Sequence, residues 1–318
     1  MKSSGIGGQA VLEGIMMRNG GKYAVAVRKP DKEIAIDVKG HVGMTEKHKW
    51  LNIPFVRGVF KFAESLSVGI KTLTYSASFI EDDEEESKPS SKKSDDILMT
   101  VTVCISVLLS VGLFIVLPFL ISEFAKKVLS INSVTVIAVL EGVTRILIFL
   151  LYLVLISRMK DIQRTFMYHG AEHKCINCIE HGMELNVENV RKSSRIHKRC
   201  GTSFLLFVVV ISIISFIIVS AIVPAASSGW LKLAVRLILI PVIAGISFEI
   251  LRHAGNSDGK IINFVSKPGM WLQRLTTREP EDDMIEVGIA SVEAVFDWKK
   301  YLKENFNVEV ENKTGDDV

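Results

Sequence analysis

The sequence has few of the residues and motifs that mark disulfide-rich, nucleotide-binding or serine-hydrolase proteins. Of the four cysteines in 318 residues, three lie in a loop predicted to be cytoplasmic, where the reducing environment favours metal binding or chemistry over a disulfide. There is no G-x-G-x-x-G, no Walker lysine pattern and no G-x-S-x-G elbow, which argues against a phosphate-binding loop and a serine nucleophile. No apolar run opens the chain, so we expect no cleaved signal peptide. The absence of an internal repeat argues against a solenoid.

Net charge is also scarce, whereas apolar residues are abundant. The formal charge is only +3, and we expect no specific DNA binding. Hydrophobic residues make up 48% of the chain and the mean hydropathy is +0.32. Four apolar runs approach or exceed the roughly 20 residues that cross a bilayer core, at 97–121, 133–157, 204–224 and 231–251. The sequence predicts a mainly α, polytopic membrane protein with four transmembrane helices and the lipid bilayer as a partner.

The distribution of positive charge predicts how the chain is oriented. Nine Lys and Arg residues lie between 158 and 202, against two in 122–132 and none in 225–230. Positively charged loops remain on the cytoplasmic side of a membrane. We therefore expect the long central loop and both termini to be cytoplasmic, and the two short connections to be external.

Outside the spans, periodicity and composition divide the chain into regions. Alternating runs at 23–28 and 33–38 predict a β-hairpin. Apolar residues between 53 and 80 recur at three- and four-residue steps, which predicts an amphipathic helix that lies on the membrane surface or, equally, is buried in a cytoplasmic domain. The regions are an N-terminal cytoplasmic β-containing region (1–52), this interfacial helix (53–80), an acidic and Ser/Lys linker (81–96), spans 1 and 2 (97–157), a basic cytoplasmic loop (158–203), spans 3 and 4 (204–251) and a C-terminal cytoplasmic helical region (252–318).

The densest group of metal-competent side chains is His169-Gly170-Ala171-Glu172-His173, in the basic loop. On a helix, residues three and four apart share a face. Gly170 costs roughly 1 kcal/mol in a helix relative to alanine, so the shared face depends on tertiary packing. The order H-x-x-E-H is similar to that of inverzincins, in which two histidines bind zinc and the glutamate is the general base. The motif predicts zinc or another divalent metal on His169 and His173, with Glu172 catalytic.

An open metal site of this kind needs a third ligand, and the sequence offers several. The resemblance to H-x-x-E-H enzymes implies a downstream glutamate, for which Glu249 is the best candidate, and His197 and Cys200 compete for the role. A closed structural zinc site is a second interpretation, in which Cys175 and Cys178 join His197 and Cys200. A basic loop without metal is the third, and the sequence leaves all three open.

Other charged residues are candidates because of the partners they could find. A salt bridge from Lys174 or Arg195 to Glu172 would turn the histidine motif into a structural clamp. Ionisable residues inside a membrane are functional candidates by default, and those predicted within the spans include Glu141, Arg145 and Arg236.

Four motifs in order along the chain carry a resemblance to a known family. They are GGQAVLEGIMMR at 7–18, HGAEHK at 169–174, RIHKRCGTS at 195–203 and LTTREP at 275–280. With them the chain resembles the YqhQ-like family of bacterial membrane proteins, a domain of unknown function regarded as a predicted metal-dependent enzyme. The resemblance leaves positions 175 and 178 out of the family pattern, which weakens the closed zinc site. It implies signature positions at His169, Glu172, His173, His197, Cys200, Arg278 and Glu279.

Two functions from different classes follow. The first is a bacterial inner-membrane protein with a metal-dependent hydrolytic site on its cytoplasmic face. The alternative is a non-enzymatic membrane-protein biogenesis or scaffold factor that docks a ribosome or translocase through its basic cytoplasmic surface. A transporter ranks third, because the sequence lacks paired broken spans beyond the interruptions at Pro118 and Pro241.

Overall fold

The computed structural model describes residues 2–81, 92–222, 229–255 and 259–310. The strands are β1 (Gly7–Val11), β2 (Gly14–Asn19), β3 (Lys22–Arg28) and β4 (Ile34–Gly40). The helices are α1 (Met44–Lys47), α2 (Val56–Glu81), α3 (Lys92–Val111), α4 (Leu117–Val128), α5 (Val134–Ile156), α6 (Lys160–Glu180), α7 (Val187–Lys192), α8 (Gly201–Ile222), α9 (Gly229–Gly255), α10 (Lys260–Thr276), α11 (Asp282–Val295) and α12 (Trp298–Phe306). The chain is mainly helical with a small N-terminal sheet, as the sequence predicts.

Four helices are long and apolar enough to cross a membrane. They cover Thr100–Val128, Val134–Ile156, Gly201–Val219 and Leu233–His253, in agreement with the four predicted spans. The first continues past the predicted end at 121, because α3 and α4 are joined by a π-helical turn at Gly112–Val116. Pro118 follows this turn. Since proline donates no backbone hydrogen bond, a widened turn lets the helix continue past it.

The sheet is antiparallel, with its strands in sequence order from β1 to β4. The predicted hairpin is confirmed as β3 and β4. Strands β1 and β2 were not predicted, because their glycines obscure the apolar alternation. Val11 pairs with Gly14, so only Leu12 and Glu13 form the turn between these strands, and Glu13 adopts a φ of 48°. Because β1 is the first strand in this order, it forms one edge of the sheet.

Helices cover both faces of the sheet. Ile15 and Met17 face a core built with α6 and α11. The opposite face packs Val25 against Val68 of α2. Alternation along the strands sends successive side chains into these two cores. The result is a three-layer unit in which the β1 edge lies between α2 and α6.

Helix α2 combines the two interpretations offered for residues 53–80. One side packs on the sheet, while its first turn lies close to span α9, where a Cβ at Gly58 would be 2.9 Å from Cβ of Phe248. Phe62 and Leu66 remain exposed apolar residues. The helix thus connects the three-layer unit to the bundle of spans.

The last predicted helix, from 284 to about 303, is two helices, α11 and α12. They separate at Phe296–Asp297, where Asp297 accepts a hydrogen bond from the Lys300 N–H and caps α12. Side-chain capping of this kind starts a new helix and satisfies its first amides. Residues 82–91 of the predicted linker and 311–318 of the C-terminal region lie outside the described residues.

A buried ionic cluster ties three spans together. Glu141 and Arg145 of α5 pair at 3.1 Å, as their spacing predicts, and Arg236 of α9 pairs with the same carboxylate. Arg145 also donates to Ser212 of α8 at 3.0 Å. Both guanidinium groups stack on the ring of Phe216, at 4.9 and 5.0 Å. Polar groups inside a span need partners such as these, so the cluster fixes how the spans pack.

Candidate metal centre

Helix α6 carries the histidine motif and runs unbroken through Gly170. A Cβ at Gly170 would lie 2.0 Å from the Arg278 carbonyl oxygen. The Arg278 N–H donates to the Phe166 carbonyl at 2.9 Å, so the connection between α10 and α11 crosses α6 in backbone contact. Glycine is therefore required here by close approach. The packing of the α10–α11 connection against Gly170 offsets the low helix propensity of this glycine.

The structure brings together His169, His173 and Cys200. One ligand atom from each lies within 4.8 Å of the others. Nε2 of His169 is 3.3 Å from Sγ of Cys200, and the two histidine ring centroids are 4.4 Å apart. Imidazole nitrogen and thiolate sulfur are the ligands that zinc prefers. These three residues could therefore hold one metal ion.

Backbone carbonyls orient both imidazoles. Nδ1 of His169 bonds the Thr276 carbonyl at 2.8 Å, and Nδ1 of His173 bonds the Arg195 carbonyl at 2.7 Å. Because a carbonyl oxygen only accepts, each Nδ1 is the donor, and Nε2 of each neutral ring is then the nitrogen that can bind a metal ion. Metal-binding histidines in proteins are oriented in this way.

Glu172 lies beside these ligands and is almost fully buried, with 5% of its surface exposed. Its Oε2 is 3.9 Å from Nε2 of His169. Burial raises the pKa of the Glu172 carboxyl, against the opposing effects of His169 and of the backbone N–H of Gly8, which donates to it. A carboxylate with a raised pKa is a better proton acceptor near neutral pH.

The carboxylate of Glu172 is not clamped by the basic residues of the loop. Lys174 and Arg195 both pair with Glu279, at 2.9 and 3.4 Å. Arg195 also donates to the Thr277 carbonyl at 2.8 Å. These three side chains therefore secure the α10–α11 connection against α6 and the loop. Their effect on the site is one of positioning.

The structure places Glu249 and His197 outside the three-ligand group. Glu249 receives two hydrogen bonds of 2.6 Å from Arg57 of α2, so this carboxylate links α2 to span α9. Nε2 of His197 faces Glu180 at 3.2 Å, and the His197 ring centroid is 5.9 Å from that of His173. His197 thus lies behind the ligands. Of the three candidates for the third ligand, only Cys200 meets the two histidines.

The four residues of the closed zinc interpretation are not gathered among the residues that the structure describes. Sγ of Cys178 lies 3.3 Å from the Glu184 carbonyl. Cys175 is buried against α11, where a Cβ at Gly288 would be 2.8 Å from its sulfur. Burial raises the pKa of both thiols. These two cysteines are core residues.

Sequence reasoning did not identify Glu180, which anchors the N-terminal segment behind the site. It is fully buried and pairs with His197 and Arg199. It also accepts hydrogen bonds from the Ser4 N–H and hydroxyl, at 2.7 and 2.8 Å. Burial alone would raise the pKa of Glu180, but the hydrogen bonds from His197 and Arg199 outweigh it and lower this pKa to about 2.

Replacing Glu180 with glutamine should destabilise the protein by about 2–3 kcal/mol at pH 7, less than a fully buried pair because Arg199 is partly exposed. The folded carboxyl has the lower pKa, so its contribution is present above its unfolded pKa of about 4.3. It is lost as the pH falls towards the folded value of about 2. The thermal unfolding midpoint of the wild type should therefore fall more steeply below pH 5 than that of Glu180→Gln. Glu188→Gln, an exposed control, should follow the wild type; equal slopes for all three would contradict the assignment.

A cavity of about 460 Å³ opens against the ligand atoms. Its walls come from strand β1, helix α2 and the first turns of span α8, and include Gly8, Ser65 and Leu205. A larger cavity of about 990 Å³ lies elsewhere, along Glu13, Arg28 and Arg164. Its charges are largely paired with one another. The smaller cavity is therefore the candidate site.

Comparison with known proteins identifies the family. The family described as "Protein of unknown function (DUF1385)" matches residues 53–298. The chain belongs to this family. The "Uncharacterized protein YqhQ" of Bacillus subtilis (strain 168) is 34% identical over 293 residues, which cover 90% of each chain. The predicted YqhQ-like resemblance is thereby confirmed. The DUF1385 match includes His169, His173 and Cys200, and no solved structure matches the chain.

Proposed function

We propose that this protein is a bacterial inner-membrane hydrolase that uses a divalent metal ion, most simply zinc. The ligands are His169, His173 and Cys200, and Glu172 is the catalytic base. The observation that supports this proposal is the meeting of three ligand atoms within 4.8 Å at the wall of an open cavity. Three protein ligands and an open position are the pattern of catalytic zinc. The basic segment between 158 and 202 supports a cytoplasmic location for the site and both termini.

The residues around the site suit hydrolysis. A zinc ion bound there would lower the pKa of a water molecule towards about 7. Glu172 is placed to accept the proton of that water and to deliver it to the leaving group. The N–H of Gly8 orients the Glu172 carboxylate. A Cβ at Gly8 would lie 2.8 Å from Cγ of Glu172, so a larger residue would displace the base.

Hydrogen bonds fix the sulfur of Cys200 beside the histidines. The residue immediately precedes the 22-residue helix α8. The Thr202 N–H donates to the sulfur at 3.4 Å, and the Thr202 hydroxyl lies 3.1 Å from it. These contacts hold the sulfur where it can serve as a metal ligand together with His169 and His173.

The scaffold alternative, with a ribosome or translocase as partner, has less support. Docking to RNA or anionic lipid needs a basic surface with accessible charge. Several cations of the basic loop are paired within the protein: Lys174 and Arg195 with Glu279, Arg191 with Asp282, Lys192 with Glu188, and Arg199 with Glu180. Such pairing leaves less charge for a partner.

Metal analysis tests the proposal. Full-length protein purified in detergent without chelators should contain close to one equivalent of metal by mass spectrometry. His173→Ala and Cys200→Ser should each lower metal affinity at least about tenfold, because each removes a ligand. After exchange with cobalt, the wild type should show the near-ultraviolet band of a cobalt thiolate, and Cys200→Ser should lose it.

Cys178→Ser is the matched control, since it changes a buried cysteine away from the three ligands. It should retain both the metal and the cobalt band. Folded wild-type protein that binds neither zinc nor cobalt would refute the metal site. Retention of the thiolate band in Cys200→Ser would refute Cys200 as a ligand.

A further inference from the structure

We propose that the substrate is a polypeptide segment that binds in extended conformation along the free edge of β1 and is cleaved beside Glu172. This inference rests on the proposed function and names its substrate class. It follows from the position of the outer edge of β1, which pairs with no strand among the described residues, next to the candidate metal centre.

The backbone groups of β1 alternate between the sheet and the cavity. A two-residue turn makes Val11 and Gly14 a hydrogen-bonded pair, so Ala10 opposite Ile15 and Gly8 opposite Met17 are non-hydrogen-bonded pairs whose N–H and C=O groups point away from β2. The hydrogen bond from the Gly8 N–H to Glu172 agrees with this orientation. The outward groups of Ala10 are thus available to an added strand.

Space exists beside this edge. The cavity wall includes residues 7–10 of β1. Gly7 and Gly8 are exposed, and a Cβ at Gly7 would meet no atom within 4 Å. Exposed strand edges bind extended peptides through main-chain hydrogen bonds. A peptide fits this wall because the wall presents the outward N–H and C=O of Ala10 to an added strand.

Glu172 joins the strand edge to the metal ligands. Its carboxylate accepts the Gly8 N–H and also lies 3.9 Å from Nε2 of His169. A chain paired with Ala10 would continue past this carboxylate, which would set one of its peptide carbonyls near the ligand atoms. The added strand therefore positions a peptide bond for attack.

The same cavity adjoins the spans. Thr202 and Leu205 belong to the first turns of α8, and Ser65 belongs to α2, which packs on α9. A substrate there lies close to the membrane surface. We therefore assign the site to polypeptide segments next to a membrane.

In the reaction, the oxygen of water bonds to the peptide carbonyl carbon, and the C–N bond breaks. Glu172 transfers the proton to the departing amine, so the products are a carboxylate and an amine.

The test compares two probes on zinc-loaded, full-length protein. A peptide library prepared from a bacterial proteome should acquire new termini, detected by mass spectrometry, and Glu172→Gln should not produce them. Vesicles of bacterial phospholipids should release neither fatty acid nor headgroup. Lipid hydrolysis with intact peptides would overturn the inference and leave the proposed hydrolase in place. Failure to cleave any peptide by protein shown to hold metal would also overturn it.

Strand addition makes a further demand on any peptide that is cleaved. N-methylation of one amide should lower kcat/KM about tenfold where the N–H faces β1, the effect of one lost hydrogen bond, and should have little effect at the adjacent residues. Ala10→Pro should cause a similar loss while the metal content stays at the wild-type level. A uniform effect of methylation along the peptide would refute strand addition.

Discussion

Replacing Glu172 with glutamine is expected to lower kcat by about 100- to 10,000-fold, the contribution of a positioned general base. Glutamine has nearly the same shape and can still accept the Gly8 N–H, but it cannot take a proton from water. Glu172 is not one of the three residues whose ligand atoms lie within 4.8 Å, so the metal content should not change. The measurement is kcat at saturating zinc on a cleaved peptide.

A second substitution controls for a general effect of charge. Glu304→Gln changes an exposed carboxylate of α12, which pairs with Lys300 at 3.9 Å. We expect its kcat and metal content to match the wild type. If Glu172→Gln lost the metal together with activity, Glu172 would be a ligand rather than the base.

Replacing Gly170 with alanine should destabilise the protein by about 1–3 kcal/mol or more, the cost of overpacking a rigid interior. The same change in an unconstrained helix is stabilising by up to about 1 kcal/mol. Here the substitution lowers the free energy of unfolding instead of raising it, because the new Cβ would be 2.0 Å from the backbone carbonyl oxygen of Arg278. Displacing this connection also moves the Thr276 carbonyl that orients His169. Thermal stability and zinc affinity should therefore fall together.

Gly112→Ala is the matched control for this prediction. Gly112 is also helical, and a Cβ there would meet no atom within 4 Å. The midpoint of thermal unfolding, followed by circular dichroism in detergent, should be unchanged or slightly raised. A wild-type midpoint for Gly170→Ala would show that the α10–α11 connection can move away without cost.

Local pattern was sufficient for the elements with a strong period. The four spans and the hairpin at 23–38 follow from apolar length and alternation, and the shared face of His169, Glu172 and His173 follows from helical spacing. Strands β1 and β2 lack such a period. These two segments form strands because they pack between α2 and α6 in the three-layer unit. Long-range packing of this kind leaves no local sequence pattern.

The third metal ligand could not be chosen from sequence spacing alone. The resemblance to H-x-x-E-H enzymes favours Glu249, yet the sequence carries no signal that Arg57, 192 positions away, pairs with this carboxylate. Cys200 was among the candidates, but only the fold distinguishes it from His197. The sequence did not identify Glu180 as a site residue, because its partners come from the first residues of the chain and from the segment before α8, both distant in sequence.

The buried cluster of Glu141, Arg145 and Arg236 also has a consequence for how the chain enters the bilayer during synthesis. An arginine inside a span raises the free energy of insertion, by up to about 2.5–3.5 kcal/mol at the centre of the span. Arg236 finds Glu141 on a helix made almost a hundred residues earlier. Helix α5 can enter with its own charges paired, whereas α9 gains its partner only if α5 is still at the insertion site. The spans should therefore leave the insertion machinery together, as an assembled group.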